Sequence, residues 1–175
     1  MKLDGMHVVV DLETLGTSSN SVIVALGAVQ FNEHGIISTF YRRIDAKSCV
    51  AAGLVMDVDT VQWWMQQSDD ARAIFKDIGV GLAQALGEFS AWYPKNACAW
   101  GNGATFDNVL LDSAYKAVGL RKPWPYWGDR CYRTVKALYP DIEADTFAGV
   151  KHNALDDAKY QALHACKLLR AVGAK

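Results

Sequence analysis

No C-x-x-C pair occurs in this sequence: its four cysteines stand apart at positions 49, 98, 131 and 166. That spacing excludes a zinc-ribbon framework and suits a reducing compartment better than a disulfide scaffold, so a cytoplasmic protein is expected. Long apolar runs are missing as well. No stretch reaches 18 uninterrupted apolar residues, and the N-terminal segment carries Asp4 early and meets Asp11 after three valines. Neither a signal peptide nor a membrane partner is therefore expected. Excess positive charge is also lacking: the formal net charge is -1 and the pI is near 6.4. Without an overall basic field, a nucleic-acid partner would be held locally and over a short length rather than gripped as long duplex. There is no internal repeat and no low-complexity segment. With 51% apolar and 21% charged residues, the 175 positions suit one domain, 1–175, with a sizeable core.

What is present centres on VVVDLETLG, residues 8–16, an apolar strand that runs into two carboxylates and then a turn. Side chains alternate along a strand, so Asp11 and Glu13 point the same way from one edge. Like charges held that close repel. The pair is tolerable if a divalent cation lies between them or if one takes up a proton. Only oxygen ligands are on offer, which selects a hard cation, Mg²⁺ or Mn²⁺. The plain alternative is a strand ending in a solvated turn. With 15 Asp and 4 Glu, chance supplies Asp-x-Glu about 0.3 times in such a chain, and Asp141-Ile-Glu143 is read as that event.

After this strand, 17–20 is a polar turn and 21–31 a β-branched run for a second strand. The NEHG stretch, 32–35, then makes a hairpin into 36–44. From Ala46 the period turns helical, with Val58, Val61, Trp64 and Met65 on one stripe. Residues 79–92 repeat the signature through Val80, Leu82, Ala83, Leu86 and Phe89, and Pro94 stops it. Residues 96–101 read as a short inner strand. Thr105 is expected to cap a helix through Val118, ended by Gly119, with Phe106, Val109, Leu110 and Ala117 inward. KPWPYWG, 122–128, is a loop, followed by a helix over 132–139 and a second loop over 141–151. Asn153 then caps a last helix to about Ala171 that buries Leu155, Ala158, Ala162, Cys166 and Leu169. Strands first, then helices with one inserted strand, give an α/β domain around a mixed sheet.

Two further stretches carry acids at helix starts. In NGATFD, 102–107, Gly101 and Gly103 let the backbone pass close to something, and Asp107 opens a helix. The helix dipole alone also favours an Asp there. In HNALDD, 152–157, five helical residues rotate His152 about 140° from facing with Asp157, so the two share a site only if His152 lies outside the helix. Asn153 as N-cap places it there, as a mobile imidazole able to swing over whatever Asp157 binds and activate water. Asp156 turns about 100° away and is read as solvated. Four carboxylates and one histidine are thus expected to converge on one sheet edge.

These residues resemble the DEDDh 3′→5′ exonucleases of the ribonuclease H-like superfamily, with VDLETLG as first motif, NGATFD as second and HNALDDA as third. The likeness runs through the whole chain. TVQWWMQQS, WGNGATFDN and PYWGDRCYRT further resemble the small stand-alone exonucleases of phages and their bacterial relatives. There an acidic residue usually stands where this chain has Cys131. The resemblance implies a ribonuclease H-like mixed β-sheet with helices on both faces. It implies that Asp11, Glu13, Asp107 and Asp157 bind two divalent cations, Mg²⁺ or Mn²⁺, and that His152 is the general base. It also implies digestion from the 3′ end of single-stranded RNA or DNA, with nucleoside 5′-monophosphates as product. Thr14, Leu15 and Gly16 would meet the terminal sugar and base, Leu15 as an apolar wedge, with Asn102 and Phe106 as further substrate-binding candidates. Relatives of this kind often pair, which admits a homodimer.

Among six tryptophans, Trp64, Trp92 and Trp100 fit core stripes, while Trp63, Trp124 and Trp127 are candidates for stacking on a base. Arg42, Arg43, Arg130, Arg133 and Lys151 are candidates for a local phosphate-binding rim or a solvated face. His7, His34 and His164 match no motif and are read as structural or exposed. Two rival functions are a module that captures a 3′ end without cutting and a ribonuclease H-like endonuclease.

Overall fold

The computed structural model describes residues 5–173, so the part of the N-terminal reading that rests on Asp4 lies outside the described residues. Three strands come first: β1 (His7–Thr14), β2 (Ile23–Asn32) and β3 (Gly35–Arg43). They pair antiparallel, β1 with β2 and β2 with β3. The turn between β2 and β3 is held by Asn32, whose Oδ1 accepts from the His34 and Gly35 backbone N–H groups at 2.9 and 3.3 Å. β4 (Cys98–Gly101) and β5 (Asp129–Cys131) then add in parallel, giving the order β3-β2-β1-β4-β5. This is the mixed α/β sheet that the order of strands and helices predicts.

β5 is not among the predicted elements. Its three residues follow a Pro- and Trp-rich loop and show no alternation; they form a strand because β4 leaves an open edge beside them.

Helices cover both faces, and the alternation of β1 decides what each face receives. Val8, Val10 and Leu12 enter the larger core. That core is built against α1 (Ala46–Ala51), α2 (Val58–Met65), α3 (Asp69–Arg72), α4 (Leu82–Trp92) and α5 (Asp107–Ala117). Val9 enters a second core on the opposite face, with Val29, Phe31 and Trp100 packed under α6 (Tyr132–Leu138) and α7 (Ala154–Gly173). Asp11 and Glu13, two and four residues beyond Val9, continue on this α7 side. His7 and His164 are buried here, as structural residues: His7 Nδ1 accepts from Trp100 Nε1, and His164 bonds the Tyr132 hydroxyl and the Ile142 carbonyl. Among the described residues no helix is long and apolar enough to cross a membrane.

Several predicted stripes are rotated in the structure. In α5, Val109 and Ala117 are exposed, and the buried face runs through Asp107, Asn108, Leu111, Ala114 and Tyr115 together with Leu110. The cause is that Asp107 and Asn108 are buried by hydrogen bonds, which a count of apolar residues does not register. Thr105 does not cap this helix; Phe106 occupies the N-cap position with no side-chain bond. In α2, Val58 and Met65 are exposed and only Trp64 is buried, with Val61 partly so. Ala83 is exposed in α4, and Val80 precedes that helix, bridging to Ile44 as an isolated strand contact. α7 follows its prediction except at Leu155, which is only partly buried: Asn153 Oδ1 accepts from the Leu155 and Asp156 N–H groups at 3.1 and 3.3 Å, and Ala158, Ala162, Cys166 and Leu169 are buried.

Candidate active site

β1 presents Asp11 and Glu13 on the α7 face, and two glycines let other chain segments reach them. β4 pairs with β1 only over the register from His7↔Cys98 to Val9↔Trp100, so the β4 side of β1 is open beyond Val9. Asp107 fills that gap: its carboxylate accepts from the backbone N–H groups of Leu12, of Asn102 and of its own residue. Gly101 makes room for this, since a Cβ there would lie 3.1 Å from both Cβ and Oδ2 of Asp107 and 2.7 Å from Asn108 Oδ1. On the other side Gly27 stands opposite Asp11 on β2. A Cβ on Gly27 would sit 2.2 Å from the Ala154 carbonyl group, so only glycine allows the start of α7 to seat on the sheet.

With α7 seated there, Asp157 and Gln161, one turn apart, both face β1. Gln161 Nε2 donates to Asp11 Oδ1 at 2.7 Å. Asp157 Oδ2 accepts from the His152 backbone N–H at 3.0 Å. His152 takes a left-handed conformation, φ 63°, just outside the helix, as the capping argument requires. One carboxylate oxygen from each of Asp11, Glu13 and Asp157 lies within 4.8 Å of the others. Asp107 stands beyond that triplet but close enough for its charge to act on Asp11 and Glu13.

Crowding shows in the ionisation of all four acids. Burial first, then the charges of Asp107, Glu13 and Asp157, push Asp11 well above the usual carboxylate range against the Gln161 hydrogen bond. Burial, then Asp157 and Asp107, raise Glu13 to about 8. Burial raises Asp107 to about 7 despite its backbone donors and the Arg133 guanidinium. Burial also raises Asp157, opposed by the His152 N–H. Such a cluster lacks positive charge, and its donor set is all oxygen: both fit one or more hard divalent cations.

Beside Glu13 opens a cavity of about 570 Å³, walled by Leu12, Thr14, Trp63, Trp64 and Phe106. Trp64 is fixed by donating Nε1 to the Thr14 carbonyl at 2.8 Å. The His152 ring meets Trp63 edge-to-face with centroids 4.9 Å apart. Thus Thr14 and Phe106 of the predicted substrate contacts line this cavity. Leu15 is buried and lines a different, apolar groove with Met56, Met65 and Phe75. Gly16 packs on Ser21, and Asn102 offers its carbonyl to Arg133 Nη2 at 2.8 Å.

Asp156 departs from its predicted solvated state. Its carboxylate accepts the Val150 N–H at 3.0 Å and lies 3.7 Å from Lys159, which ties down the loop before His152. Trp124 is a core residue, buried and donating to Asp129 Oδ1 at 2.8 Å, whereas Trp127 is exposed. Arg42 pairs with Glu88 and Arg43 with Asp77, and Arg130 donates to the Trp127 and Asp129 carbonyls. Lys151 is exposed. Cys131 ends β5: burial opposes ionisation, but hydrogen bonds from the Thr134 hydroxyl and from the Ala104, Thr134 and Gly103 N–H groups lower its pKa. Two residues of the site, Gln161 and Gly27, belong to none of the three motifs. The spacing of Gln161 four residues after Asp157 is a signal that could flag the first; nothing local flags the second.

A family model described as the Rv2179c-like 3′-5′ exoribonuclease domain matches residues 6–169. No curated protein matches the chain. Among solved structures, the nuclease domain of 3′hExo, a DEDDh family member, bound to rAMP superposes with TM-score 0.64 at 13% identity, covering 95% of this chain and 92% of that one. Exonuclease X in complex with 5′-overhanging duplex DNA gives 0.63 at 14% identity, with coverage of 95% and 92%. The zinc-bound E. coli ExoI–ssDNA complex gives 0.61 at 16% identity, covering 97% of this chain and 41% of that one. At these identities the structural likeness speaks for the fold, a ribonuclease H-like sheet.

Proposed function

Since the chain belongs to the Rv2179c-like 3′-5′ exoribonuclease domain family and is a 3′→5′ exonuclease, we propose that it hydrolyses the terminal phosphodiester of single-stranded RNA with two divalent cations, Mg²⁺ or Mn²⁺. The residues that would hold them are Asp11, Glu13, Asp107 and Asp157, and the product is a nucleoside 5′-monophosphate. The observation that supports this most is the meeting within 4.8 Å of three carboxylate oxygens, two from β1 and one from α7, about 145 residues apart in sequence. When bound, such cations polarise the phosphodiester and make water more acidic.

The chain's own groups supply the rest. His152 takes the proton of the attacking water, and its backbone N–H bond to Asp157 ties the residue to that acid. Trp63 gives that ring an aromatic surface to rest on. The cavity between Trp63 and Phe106 receives the terminal nucleotide, where stacking on an aromatic face contributes about 1–3 kcal/mol per base.

The test is digestion of RNA and DNA strands labelled at the 5′ end, with Mg²⁺ and with Mn²⁺. A ladder that shortens one nucleotide at a time, faster on RNA, is expected. Internal fragments would indicate an endonuclease, and retention of intact strand under both metals would indicate a binding module.

A further inference from the structure

The site binds a polyanion, yet the surface beside it is acidic. Glu13, Asp57 and Asp59 line the cavity for the terminal nucleotide. The neighbouring cavity at His152 holds Asp70, and its one arginine, Arg43, is neutralised by Asp77. In the apolar groove by Leu15 the one cation, Arg72, pairs with Asp69. A groove of about 580 Å³ between α6 and α7 differs. Arg133 and Lys136 line it, and neither has a carboxylate within 4.0 Å among the described residues. Tyr139 and Tyr160 add aromatic rings to the same groove.

The groove is joined to the acids through Arg133. That guanidinium donates to the Asn102 carbonyl at 2.8 Å, would lie 3.5 Å from a Cβ on Gly103, and acts electrostatically on Asp107. Lys136 follows one helical turn later on the same face of α6. Cations at one-turn spacing, interleaved with aromatic rings, match what single-stranded nucleic acid needs: phosphates to the cations and bases to the rings.

We propose that this groove carries the RNA strand on the 5′ side of the scissile phosphodiester, with Arg133 and Lys136 on successive phosphates. The inference rests on the exonuclease reading and adds the direction in which the substrate leaves the site. Glu143 is the one acid on the lining and opposes the strand.

The experiment measures KM for RNA of two to eight nucleotides with the Mn²⁺-loaded enzyme, for the wild type, Lys136→Glu, Lys136→Arg and Glu143→Gln. Lys136 is exposed and has no acidic partner within 4.0 Å among the described residues, so its replacement leaves the fold intact. In the wild type, KM falls as the strand lengthens. Lys136→Glu raises KM for the longer strands about tenfold and leaves the dinucleotide unchanged, Lys136→Arg restores the wild-type trend, and Glu143→Gln lowers KM for the longer strands. The salt dependence of binding to the longer strands should also weaken by about 0.7 in log–log slope, the amount expected when one phosphate is no longer neutralised. An identical length dependence in the wild type and Lys136→Glu overturns the proposal while dinucleotide cleavage still supports the exonuclease. If light scattering shows that Lys136→Glu changes the oligomeric state with length dependence unaltered, the groove belongs to a second copy of the chain and the proposal fails. Absence of cleavage for every length sinks the exonuclease reading and this inference with it.

Discussion

Gln161 is buried, gives one amide hydrogen to Asp11, and leaves its Oε1 without a partner among the described residues. A buried amide half-satisfied in this way is costly to stability and is tolerated where it orients a charged group. Gln161→Leu removes the unpaired acceptor but also leaves the buried Asp11 Oδ1 without its donor, so the two effects oppose and stability in urea denaturation should change by no more than about 1 kcal/mol. Mn²⁺ affinity, read by calorimetric titration, should nevertheless fall by about 10–100-fold, the usual cost of losing such a support. Equal affinity in the mutant would mean that Gln161 merely fills space. For His152 the expectation is kinetic: His152→Ala should lower kcat by about 10²–10⁴-fold with Mn²⁺ binding retained, which single-turnover assays and the same titration separate. At this scale the meeting of Asp11, Glu13 and Asp157 was legible from their motifs. Asp156 was not, because its bond to the Val150 N–H depends on how the loop before α7 folds back.

At the scale of elements, the seating of α7 on β2 governs the site. Gly27→Ala would place a methyl 2.2 Å from backbone atoms of Ala154, which no side-chain rotation can relieve. The helix must lift, carrying Asp157 away from Asp11. A loss of about 1–3 kcal/mol, typical of overpacking, is expected in urea, together with weaker Mn²⁺ binding that excess metal partly restores. Unchanged stability would show that α7 slides without cost. Apolar pattern revealed α7, β1 and β2 because burial there follows it, whereas β3, with Ile36 and Ile37 exposed, was marked by the hairpin turn before it. The same pattern misplaced the inner face of α5, where Asp107 and Asn108 are buried through hydrogen bonds, and it passed over β5, whose pairing is supplied by a neighbour distant in sequence.

Across the whole molecule, the acids couple stability to pH. Glu13 has its pKa near 8 in the folded chain against 4.5 for the ordinary group, and Asp107 near 7 against 3.8. Between those limits the folded state holds more protons than the unfolded one, so the stability of the metal-free protein falls as pH rises through that window. With metal chelated, the melting temperature should drop from pH 5 to pH 8. Glu13→Gln should flatten this slope and raise the melting temperature at pH 8 by a few degrees, at about 2–4 °C per kcal/mol for a chain of this size. Mn²⁺ should stabilise the wild type more at pH 8 than at pH 5, because binding there displaces fewer protons; about 2.7 kcal/mol is expected at one hundred times Kd. A melting temperature that rises with pH in the metal-free protein would contradict the ionisation described.

By itself the sequence determined the identity of the acids, the pairing of Asp11 with Glu13 on one strand face, the N-cap that leaves His152 outside its helix, and the strand–helix order of the chain. Those are matters of local geometry, where alternation in a strand and rotation in a helix follow from the backbone alone. Tertiary structure decided that Asp157 and Asp107 reach β1, that Leu15 is buried away from the cavity beside Glu13, and that Gln161 supports Asp11. These depend on close approaches at Gly27 and Gly101 between segments far apart along the chain, and such distances are set by packing, which no local pattern encodes.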